Sequence, residues 1–154
     1  MSTVLQIYEA IDRLAPFFLS MDFDNTGILV GDRQKKVERA LLALDCTKEV
    51  LRQAKELGAQ LIITHHPIIF HPIKRVNEDS LVYHLLRSDI AVISAHTNLD
   101  IAQGGVNDLL AKRIGLSDCR GLQPMDAQGT FFLGRVGSLP EGMEPQQFAQ
   151  YLKQ

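Results

Sequence analysis

Three of the five histidines in this chain stand where short apolar runs end: His65 and His66 after Leu61 to Thr64, and His96 after Ala91 to Ser94. A third run, Ala40 to Leu44, ends in Asp45, and Asp100 follows His96 by four residues. Imidazole nitrogen with carboxylate oxygen, in the absence of thiolate, suits divalent Zn, Mn, Fe or Co rather than Ca. A carboxylate such as Asp100 can bridge two ions, and a close pair of ions acidifies water and stabilises oxyanions or phosphates. The adjacent histidines add a geometric condition. Successive side chains on a strand point to opposite faces, so His65 and His66 reach one site only where the strand breaks, and Pro67 supplies the break while holding His66 extended. The pair can serve two ions, or one ring can bind while the other supports it; spacing alone leaves both open.

Other residues with chemical potential read differently. His71, between Phe70 and Pro72, has the setting of loop architecture, and His84 that of a packing or surface residue inside a helix. Gly104-Gly105 precedes a helix whose first N–H groups can hold an anion, although the same pair also makes a turn. Cys46 and Cys119 lack CxxC spacing and fit a reducing compartment as packed thiols. No Walker lysine motif, GxGxxG or GxSxG occurs, so the sequence gives no positive support to an NTPase, a dinucleotide enzyme or a serine hydrolase. Phe131 to Val136 reads as strand core, not as an RNA-binding box.

The elements that must position the strand-end residues follow from periodicity. Val4, Ile7, Tyr8, Ile11, Leu14, Ala15 and Phe18 form a helical stripe, with Thr3 and Gln6 at capping-box spacing. A polar turn at Asp22 to Asn25 precedes a brief strand, Gly27 to Gly31. After the strand Ala40 to Leu44, Thr47 caps a helix carrying Val50, Leu51, Ala54 and Leu57, with Gly58 at its C-terminal end. The strand Leu61 to Thr64, a loop through Pro72 and Asn77, a helix with Leu81, Val82, Leu85 and Leu86, and the strand Ala91 to Ser94 follow in order. A helix from Val106 to Ile114 closes on Gly115, Thr130 to Val136 adds a later strand, and Pro145 to Gln154 begins another helix. Strands that are apolar throughout and alternate with helices predict an α/β fold of βαβ units, with a mainly parallel or mixed sheet covered by helices. Ligands of such sheets gather at the carboxyl ends of the strands, where Asp45, His65, His66 and His96 all fall.

With 154 residues, 45% hydrophobic and 22% charged, the composition is that of one globular α/β domain, 1–154, whose last helix carries no stop signal and reads as cut short. A net charge of -2 supplies no global basic field for nucleic acid. No apolar run approaches the roughly 20 residues of a membrane span, and Met1 to Val4 does not open a signal peptide, so a cytoplasmic protein is expected.

The runs Leu61 to Phe70 (LIITHHPIIF), Ser94 to Leu109 (SAHTNLDIAQGGVNDL), Phe23 to Gly31 (FDNTGILVG) and Ala43 to Thr47 (ALDCT) resemble, in this order, the NGG-interacting-factor-three-like family. Bacterial members of that family are often labelled GTP cyclohydrolase I type 2 homologs. The resemblance implies an α/β fold, two divalent transition-metal ions (Zn, Mn, Fe or Co) per subunit in a complete site, and a homohexameric ring. It matches His65 and His66 to the HHP ligands, His96 to the histidine of AHTNLD, and Asp100 to its aspartate, as the bridge. It also implies a metal-dependent hydrolase acting on a nucleotide-like small molecule, with opening of the guanine ring at C8 and loss of formate. The alternatives are a metal-binding, ring-shaped scaffold or regulator with protein partners, and a dinuclear phosphoesterase. Two departures stand out. Family members are longer and draw a further histidine and glutamate from their second half, whereas no histidine follows His96 here. Phe23 stands before Asp24-Asn25 where the family usually has a tryptophan.

Overall fold

The computed structural model describes residues 1–139 and 143–153. In chain order the elements are β1 (Ser2–Thr3), α1 (Val4–Leu14), a 3-10 turn (Phe17–Leu19), β2 (Gly27–Val30), β3 (Lys36–Val37), β4 (Ala40–Ala43), α2 (Lys48–Glu56), β5 (Leu61–Thr64), α3 (Leu81–Arg87), β6 (Ala91–Ser94), α4 (Thr97–Ile101), α5 (Val106–Arg113), β7 (Ser117–Pro124), β8 (Phe132–Ser138) and α6 (Pro145–Tyr151). Contacts divide them into two compact units, Met1–Leu99 and Asp100–Gln154.

In the first unit a four-stranded sheet runs in the order β2-β6-β5-β4. β4, β5 and β6 are parallel neighbours, Ala40 opposite Leu61 and Leu61 opposite Ala91, whereas β2 pairs antiparallel with β6. The expected α/β architecture is present, and its sheet is mixed. Each short apolar run faces two cores at once, because side chains alternate across a strand. Ile62 and Val92 pack with Leu51 and Ala54 of α2 and Leu85 of α3. Leu61, Ala91 and Ile93 pack on the other face with Val4, Ile7 and Ile11 of α1. Burying each large aliphatic side chain contributes about 1.5–3 kcal/mol.

The caps agree with the sequence. The Thr3 hydroxyl accepts from the Gln6 N–H, and the Thr3 N–H donates to Gln6 Oε1 at 2.9 Å. Thr47 caps α2 through the Val50 N–H, and Gly58, with φ +63°, takes the chain out of the helix. Gly31 has no substitute at its position: φ is +97°, and a Cβ there would lie 2.7 Å from the Ala91 Cα.

In the second unit β7 and β8 form an antiparallel hairpin, with Arg120 opposite Val136 and Pro124 opposite Phe132. The later strand is thus Phe132–Ser138, two residues beyond the expected Thr130 to Val136, and it pairs only with β7 among the described residues. Phe132 lies across Gly121, where a Cβ would come within 2.0 Å of the ring. Arg135 of β8 bonds both oxygens of Asp108 on α5 and the carbonyls of Phe132 and Gly134. α6 ends at Tyr151, and Gln154, included in the expected last helix, lies outside the described residues.

Candidate metal centre

The three parallel strands of the first unit end side by side, and their carboxyl ends carry the site. Past Thr64 the chain leaves β5: the His65 N–H still donates to the carbonyl of Ala43, the last residue of β4, and the His66 N–H to that of Leu44 just beyond it. The Thr64 hydroxyl, 2.7 Å from that of Ser94, donates to the His66 carbonyl at 2.9 Å. This grip turns the backbone, so both rings of an adjacent pair face one side. The centroids of His65 and His66 are 5.2 Å apart, and His96, just past β6, lies 5.0 Å from His65 and 5.6 Å from His66. One ring nitrogen from each histidine comes within 4.8 Å of the other two.

What lies behind the rings decides which nitrogen each can offer. His65 Nδ1 is 3.0 Å from the Ala95 carbonyl, which can only accept, so Nδ1 carries the proton. His66 Nδ1 donates to Asp45 Oδ1 at 2.7 Å, and His96 Nδ1 donates to Asp24 Oδ1 at 2.9 Å. Nε2 is therefore the atom each ring could offer to a metal, and each ring is backed by an acceptor in the manner of metal-binding imidazoles. The donor set is imidazole nitrogen throughout, and it fits a divalent transition metal.

The two carboxylates differ in setting. Asp45 is about half exposed (55%), whereas the Asp24 side chain has no exposed surface. Burial alone would raise the Asp24 pKa. Donors from His96, from both the hydroxyl and the N–H of Thr97, and from the Asn25 N–H outweigh it and hold the carboxyl below the ordinary range. Thr97 in turn accepts from the Met21 N–H, and the buried Asn98 donates to the Ala15 carbonyl at 2.7 Å, so the start of α4 is tied to the end of α1.

The remaining sequence candidates separate clearly. Asp45, read as a strand-end residue able to bind metal or move a proton, stands behind His66. Asp100 lies on α4, four residues past His96, and belongs to the second unit. His71 lies on the wall of a cleft, against Phe70, while His84 sits in α3 beside Tyr83. The N-terminus of α5 after Gly104-Gly105 is served by the chain's own Asp108, which accepts from the Gly104 N–H at 2.6 Å. Cys46 packs against the α2/α3 core, and burial pushes its thiol up to about 11; Cys119, expected to be packed, is exposed. Asp24 was legible only as part of a polar turn. Its partner is 72 residues away, and no spacing rule links them.

The family of this chain follows from comparison with known proteins, since the family model for Duf34/NIF3 (NGG1p interacting factor 3) matches residues 2–154. The chain belongs to the Duf34/NIF3 family. It is 41% identical over 145 residues to the "GTP cyclohydrolase 1 type 2 homolog" of Clostridium perfringens, covering 89% of this chain and 54% of that protein. To the protein of the same name in Clostridium acetobutylicum it is 35% identical over 156 residues, covering 98% and 58%. Among solved Duf34/NIF3-like structures, reduced HcgD from Methanocaldococcus jannaschii superposes with a TM-score of 0.81 at 32% identity, covering 99% of this chain and 59% of that one. A Bacillus cereus protein related to NIF3 gives 0.78 at 39%, covering 82% and 36%. This Duf34/NIF3 chain spans little more than half the length of these relatives, and less of some.

Proposed function

We propose that His65, His66 and His96 hold a divalent transition metal through Nε2, in a centre of about two ions that hydrolyses a nucleotide. The observation that carries this reading is the acceptor behind every ring: three histidines brought together by chance would not each have Nδ1 committed to a carbonyl or carboxylate. Asp100 stands in the proposal as a fourth ligand on the strength of the family pattern alone. Zn, Mn, Fe and Co remain the metals that fit imidazole with carboxylate.

A bound divalent ion supplies Lewis acidity at such a site and lowers the pKa of water at its open positions. The protein's part is positional. Asp24, Asp45 and the Ala95 carbonyl keep the three imidazoles in one tautomer, and the Thr64-Ser94 hydroxyl pair fixes the bend that brings His65 and His66 to the same side. By analogy with the relatives' name, the reaction is hydrolytic opening of guanine and consumes two waters: the first adds at C8 and breaks C8–N9 to leave a formamide on N7, and the second breaks C8–N7, releasing C8 as formate and leaving N7 as an amine. A homohexamer in the cytoplasm belongs to the same reading, for which the bacterial relatives and the family resemblance are the support. No helix among the described residues is long and apolar enough to cross a membrane.

The test combines elemental analysis with turnover. The purified chain is expected to retain transition metal, which His65→Ala and His96→Ala lose, and to release formate from GTP only when metal-loaded. Metal uptake unchanged in both variants sinks the ligand assignment. Metal without formate, but with phosphate release or only a partner-binding activity, moves the function to a phosphoesterase or to a scaffold.

A further inference from the structure

The connection 65–80 between β5 and α3 contains no helix or strand; its first part, through Ile69, is anchored, while residues 70–79 are exposed. Ile68 and Ile69 pack onto the α2/α3 core, and the Asn25 side chain donates to the Ile69 carbonyl at 2.6 Å. With Asp45 and the start of α3, this connection walls a cleft of about 470 Å³ that has His66 in its lining. That volume lies within the range of small-molecule sites, which are mostly apolar with a few fixed polar groups.

Two features restrict what fits. Phe70 lies on the cleft wall, 41% exposed, with Phe23 (63% exposed) edge-on to it at 6.5 Å between centroids. Single exposed apolar residues are ordinary, but a pair of exposed rings beside a candidate metal centre, on backbone tied down from both sides, is a ready stacking surface. Asn25 fixes the Phe70 segment, and its neighbour Asp24 fixes His96, so one short turn sets both the ring and the imidazole. The second feature is Asp45. One of its oxygens takes the His66 N–H, and a carboxylate has capacity for more; being an acceptor only, it calls for N–H donors on whatever lies against it.

We propose that this cleft seats a planar nitrogen heterocycle of the guanine type, stacked on Phe70 with its N–H edge toward Asp45. The proposal rests on the metal-dependent nucleotide reading above and names the part of the substrate that this chain recognises. A phosphate alone does not suit the cleft, because Asp45 would repel it.

The sequence contains no tryptophan, so Phe23→Trp introduces a single indole next to Phe70. Guanosine 5′-monophosphate and ribose 5-phosphate are titrated against this variant, zinc-loaded and chelator-treated, with metal content measured on the same samples. The expected result is saturable quenching by the nucleotide in both states and none by ribose 5-phosphate. Adding Phe70→Leu weakens the nucleotide about tenfold, as loss of a base-stacking ring does, while Phe70→Tyr preserves binding. Equal responses to the two ligands, no quenching, or a Phe70→Leu titration like the parent's overturns the proposal. Metal uptake without nucleotide quenching removes this subsite and leaves the metal reading standing. Quenching without metal uptake does the reverse.

Discussion

Asp24 carries more of the candidate centre than its place in a polar turn suggests. Its carboxylate is buried, meets donors from His96, Thr97 and Asn25, and sits below the usual pKa range despite the burial. Asp24→Asn keeps the shape and removes the charge behind His96, so metal affinity is expected to fall about 10–100-fold with the fold retained. Competition against a chelator of known affinity measures this. Asp45→Asn is expected to cost less, because its carboxylate is half exposed and water can replace it. An Asp24→Asn affinity equal to that of the parent would remove Asp24 from the site. The ring-bearing residues were legible in the sequence because each closes an apolar run. The acceptors behind His65 and His96 were not, since the Ala95 carbonyl is backbone and Asp24 is distant in sequence.

Among the elements, those with an apolar run or a helical stripe emerged from the sequence close to where they lie: α2, β5 and β6 match within a residue or two at their ends, whereas α1 stops at Leu14 before Pro16, and Phe18, the last residue of its expected stripe, lies in the 3-10 turn. β1 and β3, two residues each, are too short to leave a pattern. β7 (SDCRGLQP) is exposed almost throughout and shows no alternation, so its strand character comes only from pairing with β8. α4 is a short, polar turn of helix held in place by Thr97 and Asn98. Two glycines test how tightly elements meet. Gly31→Ala combines a left-handed φ with a collision against the Ala91 backbone, whereas Gly121→Ala collides with a Phe132 ring that can turn away. Urea denaturation is expected to show a loss of about 1–3 kcal/mol for Gly121→Ala and a larger one for Gly31→Ala. The opposite ranking would contradict the close approach of β2 and β6.

For the molecule as a whole, acid sensitivity has an identifiable source in the second unit. Arg135 holds the Asp108 carboxyl below its ordinary range against the effect of burial, helped by the Gly104 N–H. A carboxylate whose folded pKa is lowered stabilises fully above its unfolded value, about 3.9, and loses that contribution as pH falls through the folded value. Asp108 is a third exposed, so screening limits the effect to about 1 kcal/mol or less. Stability measured from pH 6 down to pH 2 is expected to fall more steeply below about pH 4 in the parent than in Asp108→Asn; parallel curves would show that the pair contributes nothing. The supports of the three imidazoles lead to a different kind of consequence. Ala95, Asp45 and Asp24 lie 30, 21 and 72 residues from the rings they orient, so the cluster exists only once β4, β5, β6 and the turn before β2 have assembled. An ion binding there arrives after the slow, non-local steps of folding. An ion held there would therefore act as a latch rather than a nucleus, lengthening the lifetime of the folded chain while leaving the rate at which it forms unchanged.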